Sequence, residues 1–217
     1  MITFDHPYRK LSGGRWIKGN LHAHTSNSDG DLEPQEVIDE YSRRDYGFLM
    51  IADHDILTSE EQLHRYDSKG MILIPGNEFS ATGPHLLHIN AKSLVDSSES
   101  HQAIIDAIDS EDGIAVISHP NWYKFFDHCP QKYLEDWQGY SGIEIFNGVT
   151  RGLAGNAYAC DRWDMLLSQG RRIWGFANDD THVRANIGLG WNVVYVNDLS
   201  IGKSRISWEI FEKQIRK

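Results

Sequence analysis

Cysteine is nearly missing from this chain of 217 residues: Cys129 and Cys160 are the whole complement, too few for a disulfide framework. That scarcity excludes the small cross-linked secreted folds and leaves two reduced thiols, as in a cytosolic (cytoplasmic) protein. Positive charge is short as well, with 21 Lys and Arg against 31 Asp and Glu and a formal net charge of −10. Affinity for a nucleic-acid backbone rests on clustered Lys and Arg, so this balance argues against a nucleic-acid polymer as partner. No stretch reaches the roughly 18 apolar residues of a membrane span, and residues 1–14 hold no secretory apolar run. A soluble, intracellular protein is expected. Proline is sparse, six in all. With no Pro/Ser linker, repeat or low-complexity tract, residues 1–217 read as a single domain able to bury a sizeable core.

What the chain does have is short apolar runs alternating with amphipathic stretches, the pattern of strand and helix units around a mostly parallel sheet. Strands are expected at residues 16–21, 48–52, 71–74, 85–91, 114–118, 143–146, 173–177 and 191–196. Helices are expected at 34–44, opened by Pro34, at 59–66, around Ile104, Ile105 and Ile108, at 158–167, and at 207–216. Residues 121–130 and 147–156 read as longer loops with room to act as lids. About seven strand and helix pairs place the chain in the α/β class as a distorted, seven-stranded β/α barrel, whose chemistry collects at the C-terminal strand ends. A doubly wound open sheet fits the same pattern.

Histidine and carboxylate residues fall at those ends. His22 and His24, two apart on an extended strand, point the same way and can reach one cation, with Asp29 offering a carboxylate from the next loop. Asp53-His54-Asp55 follows the second strand and Glu78 the third. His85 and His88 lie on the fourth, Ser118-His119-Pro120 ends the fifth, Glu144 and Asn147 belong to the sixth, and Asn178-Asp179-Asp180-Thr181-His182 ends the seventh. Gathered in one place without metal, such groups would repel or be driven to protonate. Divalent cations remove that conflict, and the lack of nearby Cys favours an open, catalytic site over a closed structural zinc site.

Asn20-Leu21-His22-Ala23-His24-Thr25 with Ser28-Asp29-Gly30, then Ala52-Asp53-His54, Gly76-Asn77-Glu78, His119-Pro120 and Asp180-Thr181-His182, resemble in order the polymerase and histidinol phosphatase (PHP) family over residues 20–196. The resemblance implies a distorted seven-stranded barrel with two or three divalent ions (Zn, Mn or Fe) that hydrolyses phosphoesters, here of a small phosphorylated molecule. His22, His24, Asp29, His54, Glu78, His119, Asp180 and His182 match family ligand positions. For the remaining histidine, His85 is preferred over His88 because it opens the strand. Asp180 is preferred over Asp179 by its spacing to His182. Three further residues are candidates for supporting or catalytic roles. Asp53 is one, as a general acid or base or as a carboxylate that orients a ligand such as His54. The others are Glu144 and Arg184, the latter, like Arg151, a clamp for phosphate. Trp122 and Tyr123 are placed to line a substrate pocket, whereas His6, His64, His101 and His128 read as ordinary packed or solvated histidines. The chain is short beside fuller members, which leaves room for a partner chain to complete its pocket, and the oligomeric state is open. Two other readings stand beside this one: an amidohydrolase, which also opens with His-x-His but usually adds a bridging Lys not seen here, and a metal-binding module without turnover.

Overall fold

The computed structural model describes residue 8 and residues 11–123 and 127–196. The helix expected at 207–216, with Trp208, and the isolated His6 lie outside the described residues.

Alternating burial builds two sheets. In order along the chain come β1 (Arg15–Asn20), α1 (Pro34–Ser42), β2 (Phe48–Met50), α2 (Glu60–Leu63), β3 (Ile72–Ile74), β4 (Gly76–Phe79), β5 (Leu86–Ile89) and α3 (His101–Ser110). They are followed by β6 (Ile114–Ile117), α4 (Gln131–Asp136), β7 (Gly142–Asn147), α5 (Cys160–Ser168), β8 (Trp174–Asn178) and β9 (Asn192–Val196). Four strands make one sheet in the order β3-β2-β1-β9, and five make the other in the order β4-β5-β6-β7-β8. Phe48 and Met50 of β2 face inward with Leu87, Ile89, Ile114 and Val116 of the second sheet, forming the core between the sheets. Their alternates face the helices. Leu49 packs with Val37, Ile38 and Tyr41 of α1, while Ala115 and Ile117 pack with Ile104, Ile105 and Ile108 of α3. The same strand therefore serves two apolar layers, the two-residue period at work.

The closed seven-stranded barrel expected from sequence is not found among the described residues; the α/β class is. Two causes are visible. Past the expected third strand, found as β3, an additional strand β4 begins after Pro75, which cannot donate to a ladder, and it belongs to the other sheet. And β9 runs antiparallel along β1 from Arg15 to Gly19, occupying the edge that β8 would need for closure. β5 is likewise antiparallel to both its neighbours. At the site-bearing ends, backbone bridges pair Ala23 with Thr181 and His54 with Glu78. Backbone bonds there tie the segments together: His24 N donates to Thr181 O (2.8 Å), Asp180 N to His22 O (3.0 Å) and Asp55 N to Glu78 O (2.8 Å).

Among the described residues no helix is long and apolar enough to cross a membrane. Both cysteines are free, Cys129 buried and Cys160 exposed.

Candidate metal centre

The strand ends bring nine histidine and carboxylate side chains into one cluster. His22 and His24 leave β1 with their Nε2 atoms 3.1 Å apart. Asp180, just past β8, sets Oδ1 3.3 Å from His22 Nε2 and 3.2 Å from His24 Nε2. Glu78 follows the third strand, as expected, but sits inside a further strand, β4, and is the hub. Its Oε2 is 3.3 Å from His22 Nε2 and 3.1 Å from His54 Nδ1, and its Oε1 is 3.1 Å from His119 Nε2 and 3.3 Å from His85 Nδ1. Asp29 Oδ2 lies 3.2 Å from His182 Nε2 and 3.5 Å from His54 Nε2. His119 (φ 25°) and Asp180 (φ 54°) adopt left-handed backbone, a sharp turn that lets each side chain double back into the cluster.

Burial grades the cluster from floor to mouth. The His22 and Glu78 side chains are 0% exposed, whereas His85 is 14%, His182 25%, His54 26% and Asp29 52% exposed. The opening therefore lies on the Asp29, His54 and His182 side.

Several supporting groups fix the rings. Glu144, wholly buried, accepts from His22 Nδ1 (2.8 Å), the His119 backbone N–H (2.8 Å), Asn147 Nδ2 (2.9 Å) and Asn178 Nδ2 (2.8 Å). With Nδ1–H committed to Glu144, the lone pair of His22 is on Nε2, facing the cluster. His182 is set the same way, its Nδ1 2.9 Å from the Asp180 carbonyl and its Nε2 toward Asp29. Asp53 accepts from Thr25 N (2.7 Å), Thr25 Oγ1 (2.7 Å) and Ser28 Oγ (2.8 Å), so its carboxylate pins the loop that carries Asp29 rather than meeting His54 or a substrate. Asp179 is spent on Tyr41 Oη, Gly188 N and Gly190 N, which leaves Asp180 to face the cluster.

Arg184 is elsewhere. Its guanidinium pairs with Glu40 and, at 3.9 Å, with Glu36 on α1, a pairing that holds it away from the role of phosphate clamp. Arg151 is exposed on the helical turn Val149–Gly152. His88 points away from the cluster, toward the α3 layer, so the structure brings in His85 and leaves His88 out. His128, read from sequence as ordinary, is buried beside the cluster: its Nε2 accepts the His85 backbone N–H at 3.0 Å, and its ring lies 4.6 Å from that of His85 and 4.8 Å from that of His119. Its only sequence signal was its closeness to His119-Pro120. Trp122 lies 5.1 Å from the His119 ring and 5.8 Å from the His85 ring, and Tyr123 stacks on Trp122.

Electrostatically the cluster pulls two ways. Burial opposes a charge on His22, but Asp180, Glu78 and Glu144 outweigh it and hold its pKa well above the ordinary imidazole value. Burial likewise opposes ionised Glu78 and Asp180, yet the histidines hold both below the usual carboxylate range. Protons are thus drawn into a site whose geometry leaves them poorly placed. His24 Nδ1, His54 Nδ1, His85 Nδ1, Glu78 Oε2 and Asp180 Oδ1 are all buried without a hydrogen-bond partner. Lone pairs crowded inward, without donors between them, fit divalent cations, and an N/O donor set without thiolate suits zinc, manganese or iron. Among the described residues, five groups have donor atoms lying within 4.8 Å of one another: His22, His24 and Asp180; His22, Glu78 and His119; His54, Glu78 and His85; His24, Asp29, His54 and His182; and, at the cluster's border, His85, His119 and His128.

Comparison with known proteins supports the fold. No family model and no curated protein matches the sequence. Solved structures do match. A two-domain protein from Bacteroides vulgatus, containing a predicted PHP-like metal-dependent phosphoesterase, superposes with a TM-score of 0.68 at 16% identity, over 94% of this chain and 64% of that one. The present chain thus spans under two thirds of its length. An amidohydrolase from Chromobacterium violaceum, solved with sulfate and no metal, gives 0.59 at 17% identity over 90% and 96% of the two chains. An inferred metal-dependent phosphoesterase from Bifidobacterium adolescentis gives 0.54 at 15% identity over 76% and 87%. The PHP-like resemblance read from the motifs is therefore met by PHP-like neighbours in three dimensions.

Proposed function

We propose that the protein is a metal-dependent phosphoesterase acting on a small phosphorylated molecule, with residues 1–217 as one catalytic unit in an intracellular setting. The observation that carries this reading is the convergence of nine His, Asp and Glu side chains, with His24 Nδ1, His54 Nδ1, His85 Nδ1, Glu78 Oε2 and Asp180 Oδ1 buried there without a hydrogen-bond partner. His22, His24, Glu78 and Asp180 would hold a cation at the buried floor, Glu78, His85 and His119 a second, and Asp29, His54 and His182 a third at the mouth. Such ions supply Lewis-acid charge for phosphate oxygens and make water acidic enough to attack at neutral pH.

The chain's own residues set the geometry. Glu144 keeps His22 in one tautomer, and Asp53 holds the loop of Asp29 in place. The half-exposed Asp29 side admits the phosphate, while the His22 side excludes water. The Trp122 and Tyr123 rings border the histidines where the rest of a substrate would lie.

The test is a panel of phosphomonoesters and diesters, including nucleotides, histidinol phosphate and sugar phosphates, with manganese, zinc or iron added. The wild type is expected to hydrolyse at least one member, and His22→Ala to do so at least about 100-fold more slowly. Equal rates reject the proposal. The name of the Chromobacterium neighbour favours a second reading, hydrolysis of an amide or lactone. Assaying such substrates in parallel separates the two, and bound metal with no turnover on any panel points to a binding module instead.

A further inference from the structure

A second polar pocket lies behind the cation cluster, between β4, β5 and α3. Asn77 and His88 face each other directly across the antiparallel β4–β5 ladder, so their side chains share one face of the sheet. That face is opposite to the one bearing Glu78. Asn77 is 4% and His88 1% exposed, and Asn77 Oδ1 and His88 Nε2 have no hydrogen-bond partner. Both side chains line a cavity of about 140 Å³, whose other walls are mostly apolar, Phe79, Ile104 and Ile108 among them, with Asp55 and Ser97 as the remaining polar residues. Burying two bare polar groups is costly, and native proteins leave few without a ligand or water to meet them.

The cavity's size and chemistry narrow what meets them. An apolar cavity of about 150 Å³ accommodates benzene, so this one has room for a compact molecule of that order. Asn77 Oδ1 is an acceptor with no donor, whereas the Asp55 carboxylate already accepts from Ser80 N and Ser80 Oγ, and no Lys or Arg lines the walls. Burial pushes the His88 imidazole down to about 4, so at neutral pH it carries no charge and one ring nitrogen is free to accept. The wall demands a donor.

We propose that this cavity binds one small organic molecule of about five or six heavy atoms, whose polar end donates hydrogen bonds to Asn77 and His88 and whose apolar body rests against Phe79, Ile104 and Ile108. The site is independent of the phosphoesterase reading, since neither Asn77 nor His88 belongs to the cluster. Its occupancy can be read without any catalytic assay.

Pyrrole and furan serve as probes, because the two rings are nearly equal in size and only pyrrole donates an N–H. In the protein labelled with nitrogen-15, pyrrole is expected to shift the backbone amides of Asn77, His88, Ile104 and Ile108 saturably. Furan should bind at least about tenfold more weakly. His88→Leu should erase the preference for pyrrole. Ile104→Phe, which fills the cavity from α3 and leaves the polar pair in place, should abolish binding of both rings, and it keeps the test open should His88→Leu fail to fold. Equal binding of the two rings, saturable shifts that survive Ile104→Phe, or no saturable shift at all, which would mean a cavity holding water only, overturns the proposal.

Discussion

The Glu144 carboxylate accepts from the His22 ring, the His119 backbone N–H and the amides of Asn147 and Asn178. Its ionisation is secured from within. Burial works against the charge, but His22 and the hydrogen bond from it hold the carboxyl below its ordinary range. Glu144→Gln keeps the shape and swaps one acceptor for an NH₂ that opposes the donors around it. The expected result is a loss of metal affinity of roughly 10- to 100-fold with a parallel fall in kcat, measured by metal titration and steady-state kinetics. Unchanged affinity would mean that His22 needs no orienting partner. The roles of these residues were unevenly legible in the sequence. His22 and His24 declare themselves by a spacing of two on a strand, and Asp180 by the same spacing to His182. Glu144 stood out as a candidate for a supporting role, but which groups it would hold was not legible. Its weight comes from Asn147 and Asn178, amides that carry no chemical signature alone. His128 was passed over for a related reason, since its partner is the backbone N–H of His85, far away in sequence. Arg184 looked free beside its motif because the Glu40 that neutralises it is on another element.

The strands were legible wherever apolar residues run together, and all eight expected ones appear within a few residues of their places. Their directions were not. β5 and β9 run antiparallel because of the partners they meet, and nothing in Leu86–Ile89 or Asn192–Val196 encodes orientation. β4, Gly-Asn-Glu-Phe, lacks the alternation that marks a strand, and α4 buries only Leu134, too little for a helical period to show. One packing constraint within β1 can be tested directly. Gly19 lies over the Phe48 ring, and a Cβ built there would meet ring atoms at 2.1–2.3 Å. Phe48 is fully buried between the sheets and has no room to slide. Gly19→Ala must therefore push β1 from β2, at an expected cost of about 1–3 kcal/mol in urea unfolding. Because His22 and His24 follow three and five residues later, the same variant is expected to weaken metal binding, and a fully stable Gly19→Ala would refute the close approach.

Cations and protons compete for the same cluster, which couples the stability of the entire protein to both. In the metal-free protein His22 has its folded pKa above the unfolded value of roughly 6.5, so its contribution is complete below that pH and is lost as pH rises through the folded value. Glu78, Glu144 and Asp180 are depressed; their contribution is present above roughly pH 4 and is lost as pH falls. These are the same ion pairs seen from opposite partners, and together they place the metal-free optimum in the mildly acidic range. Cation binding runs the other way, because imidazole and carboxylate must be unprotonated to coordinate. A cation at 100 times its Kd adds about 2.7 kcal/mol. For a chain of this size that corresponds to a Tm rise of about 5–10 °C. Thermal unfolding with metal and with excess chelator should therefore show a gap that widens from pH 6 to pH 8, as the stripped protein loses the stability that the raised His22 pKa confers near and below the unfolded value and the loaded one gains affinity. A gap that is absent, or that narrows over this interval, would mean that something other than a divalent cation neutralises the meeting of His22, Glu78 and Asp180.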